Sequence, residues 1–236
     1  MLPILLPTNK KLEFPDVENA LAEPNGLLAV GGDLSPQRIL KAYQHGIFPW
    51  FSDDQPILWW SPDPRMVLYP DKLQISRSLK KAARKEALII TFDQAFTKVI
   101  TACAQPRTKQ KETWITAEMI QAYVNLHNLG HAHSFEAWKN GQLVGGLYGI
   151  AIGKVFFGES MFSLISNASK IAFIHAVQQL KTWDYQLVDC QVTSEHLQSF
   201  GAENIARYQF SAQLKILTQQ AAATEAWIKE NGTASL

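Results

Sequence analysis

The stretch from His133 to Val192 limits what this chain can fold into more than any other. HSFEAWK, QLVGGLYGIAI and VFFGESMF are apolar or alternating runs, separated by Asn140-Gly141 and Gly153-Lys154. Asn-Gly is the strongest short hairpin signal, because both residues accept the positive φ that a two-residue turn demands. The spacing therefore predicts an antiparallel meander. A helix follows that Ser166 or Asn167 can cap and that runs to about Trp183, with Phe173, Val177 and Leu180 on one stripe. QLVDCQV then alternates with period two, which places Leu187, Asp189 and Gln191 on one face and Val188, Cys190 and Val192 on the other. Residues two apart on a strand sit about 6.5–7 Å apart, so an acid and an amide are aimed in parallel beside the strand that carries Glu159. A strand with an apolar second face seldom turns Asp and Gln toward protein without a task. Asp189, Gln191 and Glu159 are the candidate chemical site, although Glu159 alone could equally cap a neighbouring backbone turn.

The remaining sequence bounds the chemistry. With 236 residues, 47% of them hydrophobic, the chain can bury one large core or two unequal ones. A net charge of +1 excludes a globally basic nucleic-acid coat, so any RNA contact must come from a local patch. The 2 cysteines, Cys103 and Cys190, are far apart and form no CxxC, which suits a reducing compartment. Pro3 and Pro7 break the initial apolar run, which is too short for a secretion signal. No stretch approaches the roughly 18–20 apolar residues of a membrane span. A soluble, cytoplasmic protein without a membrane partner is expected.

Texture changes near residue 65. The first 65 residues hold most of the chain's 11 prolines and a cluster of tryptophans, Trp50, Trp59 and Trp60. They read as a small N-terminal domain, residues 1–65, with one clear helix that Ser35 caps and Gly46 ends. Its aromatic rings can be core or a stacking platform, and different rings can do each. Residues 66–236 read as a larger α+β domain. VLYPDKLQIS and ALIITFD look like strands, DQAFTKVITACA like a helix, and Thr116–Leu129 like an amphipathic helix with Met119, Ile120, Tyr123 and Leu126 inward. Ser76–Lys85 is a basic helix whose Arg77, Lys80, Lys81, Arg84 and Lys85 lie mostly on one side, either as a solvated face or as a phosphate-tracking patch. RTKQK, residues 107–111, reads as a solvated loop, and the tail from Gln219 as a frayed helix end.

Meander, helix and returning strand resemble the core of the acyl-CoA N-acetyltransferase fold. CoA binding needs backbone amides around a pyrophosphate, usually from a glycine-rich turn. Here the turn is GESMFSLISNASK with Gly158 alone, so CoA is disfavoured. There is no phosphate-binding Walker loop, dinucleotide fingerprint or nucleophile elbow. His127, His131 and His133 lack partners at ligand spacing and are read as hydrogen-bonded structural residues, with no metal expected.

Several longer blocks carry a more specific likeness. EPNGLLAVGGDLSPQRILKAYQHGIFPWF, ILWWSPDPR, ETWIT, LGHAHSFEAW, LVGGLYG, FFGESMFS, NASK and DCQV, spread over about Glu23–Gly201, resemble the signature blocks of the leucyl/phenylalanyl-tRNA–protein transferase family. The resemblance implies an α+β fold with a small N-terminal α/β domain and a C-terminal acetyltransferase-like (GNAT/Fem-like) domain with antiparallel meander and β-α-β core. It implies transfer of Leu or Phe, and less well Met, from charged tRNA to proteins beginning with Arg or Lys. The products would enter the N-degron pathway and be read by ClpS/ClpAP. Aminoacyl-tRNA would be co-substrate, with no CoA, ATP or metal. A monomer is expected.

By the same resemblance the catalytic pair falls on Asp189 and Gln191, with Glu159 as the pocket carboxylate. Asp189 is expected to orient and polarise the Gln191 amide, or else to act directly as base. Trp50 and Trp114, with Tyr43 and Tyr123, fall around the terminal adenosine. The amino-acid pocket falls on Leu147, Phe156, Met161, Phe173, Leu180 and Val188, and the acceptor peptide on Glu159 and Ser194. At Leu147 and Ala176 the chain departs from the bulkier or softer residues expected of the family. Arg77, Lys80, Lys81, Arg84 and Lys85 correspond to the tRNA-backbone patch. A CoA-dependent N-acyltransferase and a non-enzymatic RNA-binding module remain the alternatives.

Overall fold

The computed structural model describes residues 3–7, 12–105 and 115–228. Its first 60 residues form a four-stranded sheet around one helix: β1 Ile4–Leu6, β2 Leu27–Gly31, α1 Pro36–Gln44, β3 Phe48–Pro49 and β4 Leu58–Trp60, in the order β1-β2-β4-β3. Pro36 occupies the first turn of α1, as its fixed φ favours. Ser35 does not cap with its hydroxyl; Asp33 Oδ1 instead accepts the Ser35 N–H at 2.9 Å. Gly46, at φ +76°, turns the chain after α1 where an added Cβ would meet the Phe210 ring at 3.0 Å. The tryptophans differ in burial. Trp59 is fully buried and donates its indole N–H to the Gly31 carbonyl, whereas Trp50 is 43% exposed.

The rest of the chain builds a larger sheet. Its elements are β5 Arg65–Leu68, α2 Arg77–Glu86, β6 Ile89–Phe92, α3 Phe96–Cys103, α4 Ala117–Asn128, β7 Ala132–Lys139, β8 Gln142–Ile152, β9 Val155–Ser163, α5 Ala168–Thr182, β10 Leu187–Gln191, α6 Glu195–Gln198, β11 Glu203–Ile205 and α7 Arg207–Leu217. Seven strands run in the order β11-β5-β10-β9-β8-β7-β6. The meander is present in β7–β9, with Asn140 and Gly141 both at positive φ in the first turn. β10 returns parallel to β9 across α5, while it pairs antiparallel with β5. This gives the α+β class, the meander and the β-α-β core that the sequence led us to expect.

Two local expectations fail for physical reasons. The strand-like run after Val67 ends at Leu68, because Pro70 has no N–H for a ladder and starts a single 3-10 turn over Pro70–Lys72. As far as Ile228, where the described residues end, the tail beyond Gln219 is not a frayed helix end. Trp227 stacks on His133 with ring centroids 3.8 Å apart and donates to the Tyr185 hydroxyl at 2.8 Å. RTKQK lies outside the described residues.

Alternation along the sheet sorts the core into two layers. Leu68, Phe156, Val188 and Leu147 face α5 and its Ile171, Phe173, Val177 and Leu180. Val67, Phe157, Leu187 and Tyr148 face the other way, toward α3, α4, α1 and α7. The small sheet shares this second layer, so its residues reach the same side of the large sheet as Tyr123.

Candidate active site

β9 and β10 are parallel neighbours, and beyond their hydrogen-bonded residues, Val155–Phe157 and Leu187–Asp189, they separate. The opening is a cavity of about 340 Å³ roofed by α5, within the usual range for small-ligand pockets. All six residues expected to hold an amino-acid side chain, Leu147, Phe156, Met161, Phe173, Leu180 and Val188, line it. Ala176 and Val177 continue the apolar wall from α5. Glu159, Gln191 and Ser194 are brought to the same cavity, and His196 and Leu197 close its rim.

Two irregularities aim the polar groups. On β9, Tyr148 pairs with Ser160 and Gly149 with Gly158, which leaves Glu159 as an extra residue in a bulge. Such a bulge re-aims one side chain without ending the strand. The Glu159 carboxylate turns toward α1 and α4, where Tyr43 Oη lies 2.7 Å from Oε1 and Tyr123 Oη 2.9 Å from Oε2. The two hydroxyls are themselves 2.7 Å apart. The second irregularity is at the end of β10, where the register shifts between Asp189 and Gln191 and Gln191 adopts φ +62°. Gln191 Nε2 then donates to Glu159 Oε1 at 2.9 Å. Strict alternation of Asp189 with Gln191 is thus corrected: the bulge rotates Gln191 out of phase.

Asp189 plays a different part from the one expected. It is fully buried, and Arg65 holds both its oxygens, Nε to Oδ1 at 2.8 Å and Nη2 to Oδ2 at 2.6 Å. Asp189 Oδ1 also accepts the main-chain N–H of Gln191 at 2.9 Å. It reaches Gln191 through the backbone and not through the side-chain amide, so the expectation that it polarises that amide is corrected. Nor are its oxygens free to act as a direct base. The guanidinium completes its contacts with the Gly46 carbonyl at 3.0 Å and lies between the Phe48 and Phe210 rings, 4.8 and 4.6 Å from their centroids.

Electrostatics follow from burial. Removal from water pushes the Glu159 carboxyl up to about 7, opposed by hydrogen bonds from Tyr43 and Tyr123 and reinforced by the Asp189 charge. The same burial, with Glu159 beside them, pushes both tyrosine hydroxyls well above their ordinary range. Burial also raises the Cys190 thiol on the cavity wall, which keeps it a thiol.

The expected stacking set separates. Tyr43 and Tyr123 are fully buried, edge-on to Phe157 and Tyr148 respectively, so no ring face is open to a base. Their place around an adenosine is corrected to a hydrogen-bonding role toward Glu159. Trp50 is exposed but does not line the cavity, and Trp114 lies outside the described residues. Arg77, Lys80, Lys81, Arg84 and Lys85 are all exposed on α2, away from the cavity, and none makes an ion pair among the described residues.

Arg65 and Tyr148 are site residues that the sequence reading missed. A lone arginine heading an apolar strand was the available signal for Arg65, since a buried acid such as Asp189 requires a cation. The histidines are engaged otherwise. His133 Nδ1 lies 2.7 Å from Asp93, and His127 Nδ1 lies 2.8 Å from the Ala132 carbonyl while its ring stacks on Phe96. Among the described residues no group of three or more His, Cys, Asp or Glu could hold a metal ion.

Known proteins match along nearly the whole chain. The family model described as leucyl/phenylalanyl-tRNA protein transferase matches residues 67–215, and that of the same enzyme's N-terminal domain matches residues 32–63. A leucyl/phenylalanyl-tRNA–protein transferase of Nitrosospira multiformis is 58% identical over 214 residues, 91% of this chain and 92% of the relative. One of Saccharophagus degradans is 60% identical over 197 residues, 84% of this chain and 81% of its own. Among solved structures, a conserved protein of unknown function from Staphylococcus epidermidis shares 14% identity over 76% of this chain and 68% of its own, with a TM-score of 0.41. That likeness is too slight to weigh.

Proposed function

The chain belongs to the leucyl/phenylalanyl-tRNA–protein transferase family, and from this we propose how its cavity performs the transfer. The enzyme is an aminoacyltransferase that uses aminoacyl-tRNA as co-substrate and carries the aminoacyl group to the N-terminus of a protein. Among the described residues, no helix is long and apolar enough to cross a membrane. A cytoplasmic monomer acting without CoA, ATP or metal is part of the proposal.

The observation that carries the proposal is the cavity's polarity. One end is apolar, walled by Phe156, Phe173, Leu180 and Val188, and the other is polar, with Glu159 and Gln191. A Leu or Phe side chain fills the apolar end. The ester carbonyl then lies toward Gln191, near enough for an amine to be held against it. Positioning of this kind is worth about 7–11 kcal/mol. Gln191 Nε2 is committed to Glu159, so its carbonyl oxygen is the group that accepts a hydrogen bond from the incoming α-amine. Asp189, fixed by Arg65, positions that amide through the Gln191 backbone. The amine nitrogen bonds to the ester carbon, the bond to the 3′-oxygen breaks, and the proton lost by nitrogen ends on that oxygen. No external energy source is required, because the ester is already activated.

Acceptors beginning with Arg or Lys place their cation beside Glu159 and Ser194, and their products are degradation substrates read by ClpS/ClpAP. The α2 patch and Trp50, with Trp114, hold the tRNA body and its terminal adenosine. The small unit of residues 1–65 and the catalytic unit of residues 66–236 divide these tasks. The test is one reaction: purified protein, tRNA charged with radiolabelled Leu, and a model protein beginning with Arg, without ATP or CoA. Label on this protein and none on one beginning with Ala is expected; no transfer with intact Leu-tRNA overturns the proposal.

A further inference from the structure

Three oxygen–oxygen contacts meet in the ring made by Tyr43, Tyr123 and Glu159. Tyr43 Oη lies 2.7 Å from Tyr123 Oη and 2.7 Å from Glu159 Oε1, and Tyr123 Oη lies 2.9 Å from Oε2. Each contact is short enough to require a hydrogen between its oxygens. Two tyrosines bring two hydrogens, and an ionised carboxylate brings none. However the hydroxyls rotate, one pair of oxygens would then face each other with lone pairs only, and both tyrosine side chains are fully buried. A neutral carboxylic acid supplies the missing third hydrogen. The third hydrogen can sit on either carboxyl oxygen: on Oε2 the ring runs Oε2–H to Tyr123, Tyr123 to Tyr43, Tyr43 to Oε1, and on Oε1 it runs the opposite way.

We propose that Glu159 rests as a neutral acid, that Tyr43 and Tyr123 are positioning residues for its hydrogen, and that it ionises when the cationic acceptor arrives. The groups facing it are consistent with this. Tyr43 approaches from α1, Tyr123 from α4, Tyr148 from β8, and Asp189 and Gln191 from β10. Arg65 on β5 is spent on Asp189. No ion pair reaches Glu159 among the described residues. The aminoacyl ester therefore enters a pocket whose one carboxyl outside an ion pair is neutral. A guanidinium or ammonium placed beside Glu159 then expels its proton to solvent, one proton for each acceptor bound. That last step rests on the acceptor reading above, whereas the count of hydrogens does not.

The experiment follows the carboxyl by infrared spectroscopy in the full-length protein with ¹³C-labelled glutamate. A protonated-carboxyl band is expected that persists at pH 6, disappears with a midpoint near 7 and is missing from Glu159→Gln. Glu136, the other glutamate among the described residues that burial pushes up, is removed by Glu136→Gln, in which the band must remain. A band already gone at pH 5 in Glu136→Gln overturns the proposal even if Glu159→Gln does not fold. Acceptor linkage is read with an α-N-acetylated Arg peptide, which has the guanidinium and no titrating amine. Its inhibition constant should rise about tenfold from pH 6 to pH 5 in the wild type, as loss of one proton per binding event requires. A flat inhibition constant overturns the ionisation step. A peptide that never binds counts against the acceptor reading, and the infrared titration still decides the hydrogen count.

Discussion

The two ends of the cavity are built in opposite ways. The apolar end comes from one continuous stretch, Leu147 to Leu197, whose strands and helix would be neighbours in any meander followed by a crossover. The polar end draws Tyr43, Arg65, Tyr123, Glu159, Asp189 and Gln191 from five separate elements, α1, β5, α4, β9 and β10. An apolar wall tolerates approximate packing, because one methylene more or less changes its free energy by about 1–3 kcal/mol. A buried polar cluster tolerates no vacancy, because each orphaned charge or hydrogen bond is felt in full. Substitutions at the two ends should therefore differ in kind: at the apolar end they change selectivity, and at the polar end they change folding and rate together.

The largest effect is expected at Arg65. Arg65→Ala leaves the buried Asp189 carboxyl without its cation, which costs about 3–5 kcal/mol, and urea denaturation should show it with transfer activity lost in parallel. A cost comparable to a surface substitution would erase the distinction between the ends. Next is the pH dependence of stability. Burial raises the folded Glu159 carboxyl from 4.5 to about 7, so between those values the folded state holds more protons than the unfolded one. Its contribution is fully present below about 4.5 and is lost as pH rises through about 7, a loss on the order of 3 kcal/mol. Thermal denaturation should show the wild type losing stability relative to Glu159→Gln across that window; parallel curves would detach Glu159 from the buried cluster.

At the apolar end, Ala176→Val narrows the cavity from α5. Competition between Leu-tRNA and Phe-tRNA should move toward Leu by about 1–3 kcal/mol, with the fold intact. Unchanged selectivity would mean that Ala176 does not limit depth. The smallest effect on stability belongs to α2, outside both ends. Arg84→Ala and Lys85→Ala should leave stability within about 0.5 kcal/mol, yet each should lower the salt dependence of tRNA binding by about one unit of log–log slope. An unaltered slope would remove the helix from the tRNA path.

The same contrast explains what could be read from the sequence. The meander, α5 and β10 were legible because their signals are local: Asn140-Gly141 at a turn, a stripe through Phe173, Val177 and Leu180, and period two through Leu187–Asp189. The six pocket residues followed from that frame once the family resemblance supplied their identity. Partners at long range were not legible. Nothing near Tyr43 or Tyr123 reports that a bulge at Glu159 will turn a carboxylate onto their hydroxyls. Alternation was misleading at Gln191 for a related reason, since the bond from its N–H to Asp189 belongs to a bulge that period two cannot describe. Trp227 was read as part of a fraying tail because its stacking partner, His133, lies almost a hundred residues earlier.

The position of β5 has a consequence for how the molecule comes into being. Arg65–Leu68 is early in the chain, yet it is inserted between β10 and β11, near the end. During synthesis, β6 to β9 can pair as each emerges, since every partner is the next strand in line. β5 must wait for more than a hundred residues, and until then an apolar strand headed by an arginine has no acid to meet. Contacts of such separation form late and slowly. The Arg65–Asp189 closure is thus among the final steps of folding, and a nascent or truncated chain that looks largely folded lacks the bond that sets Gln191 in place.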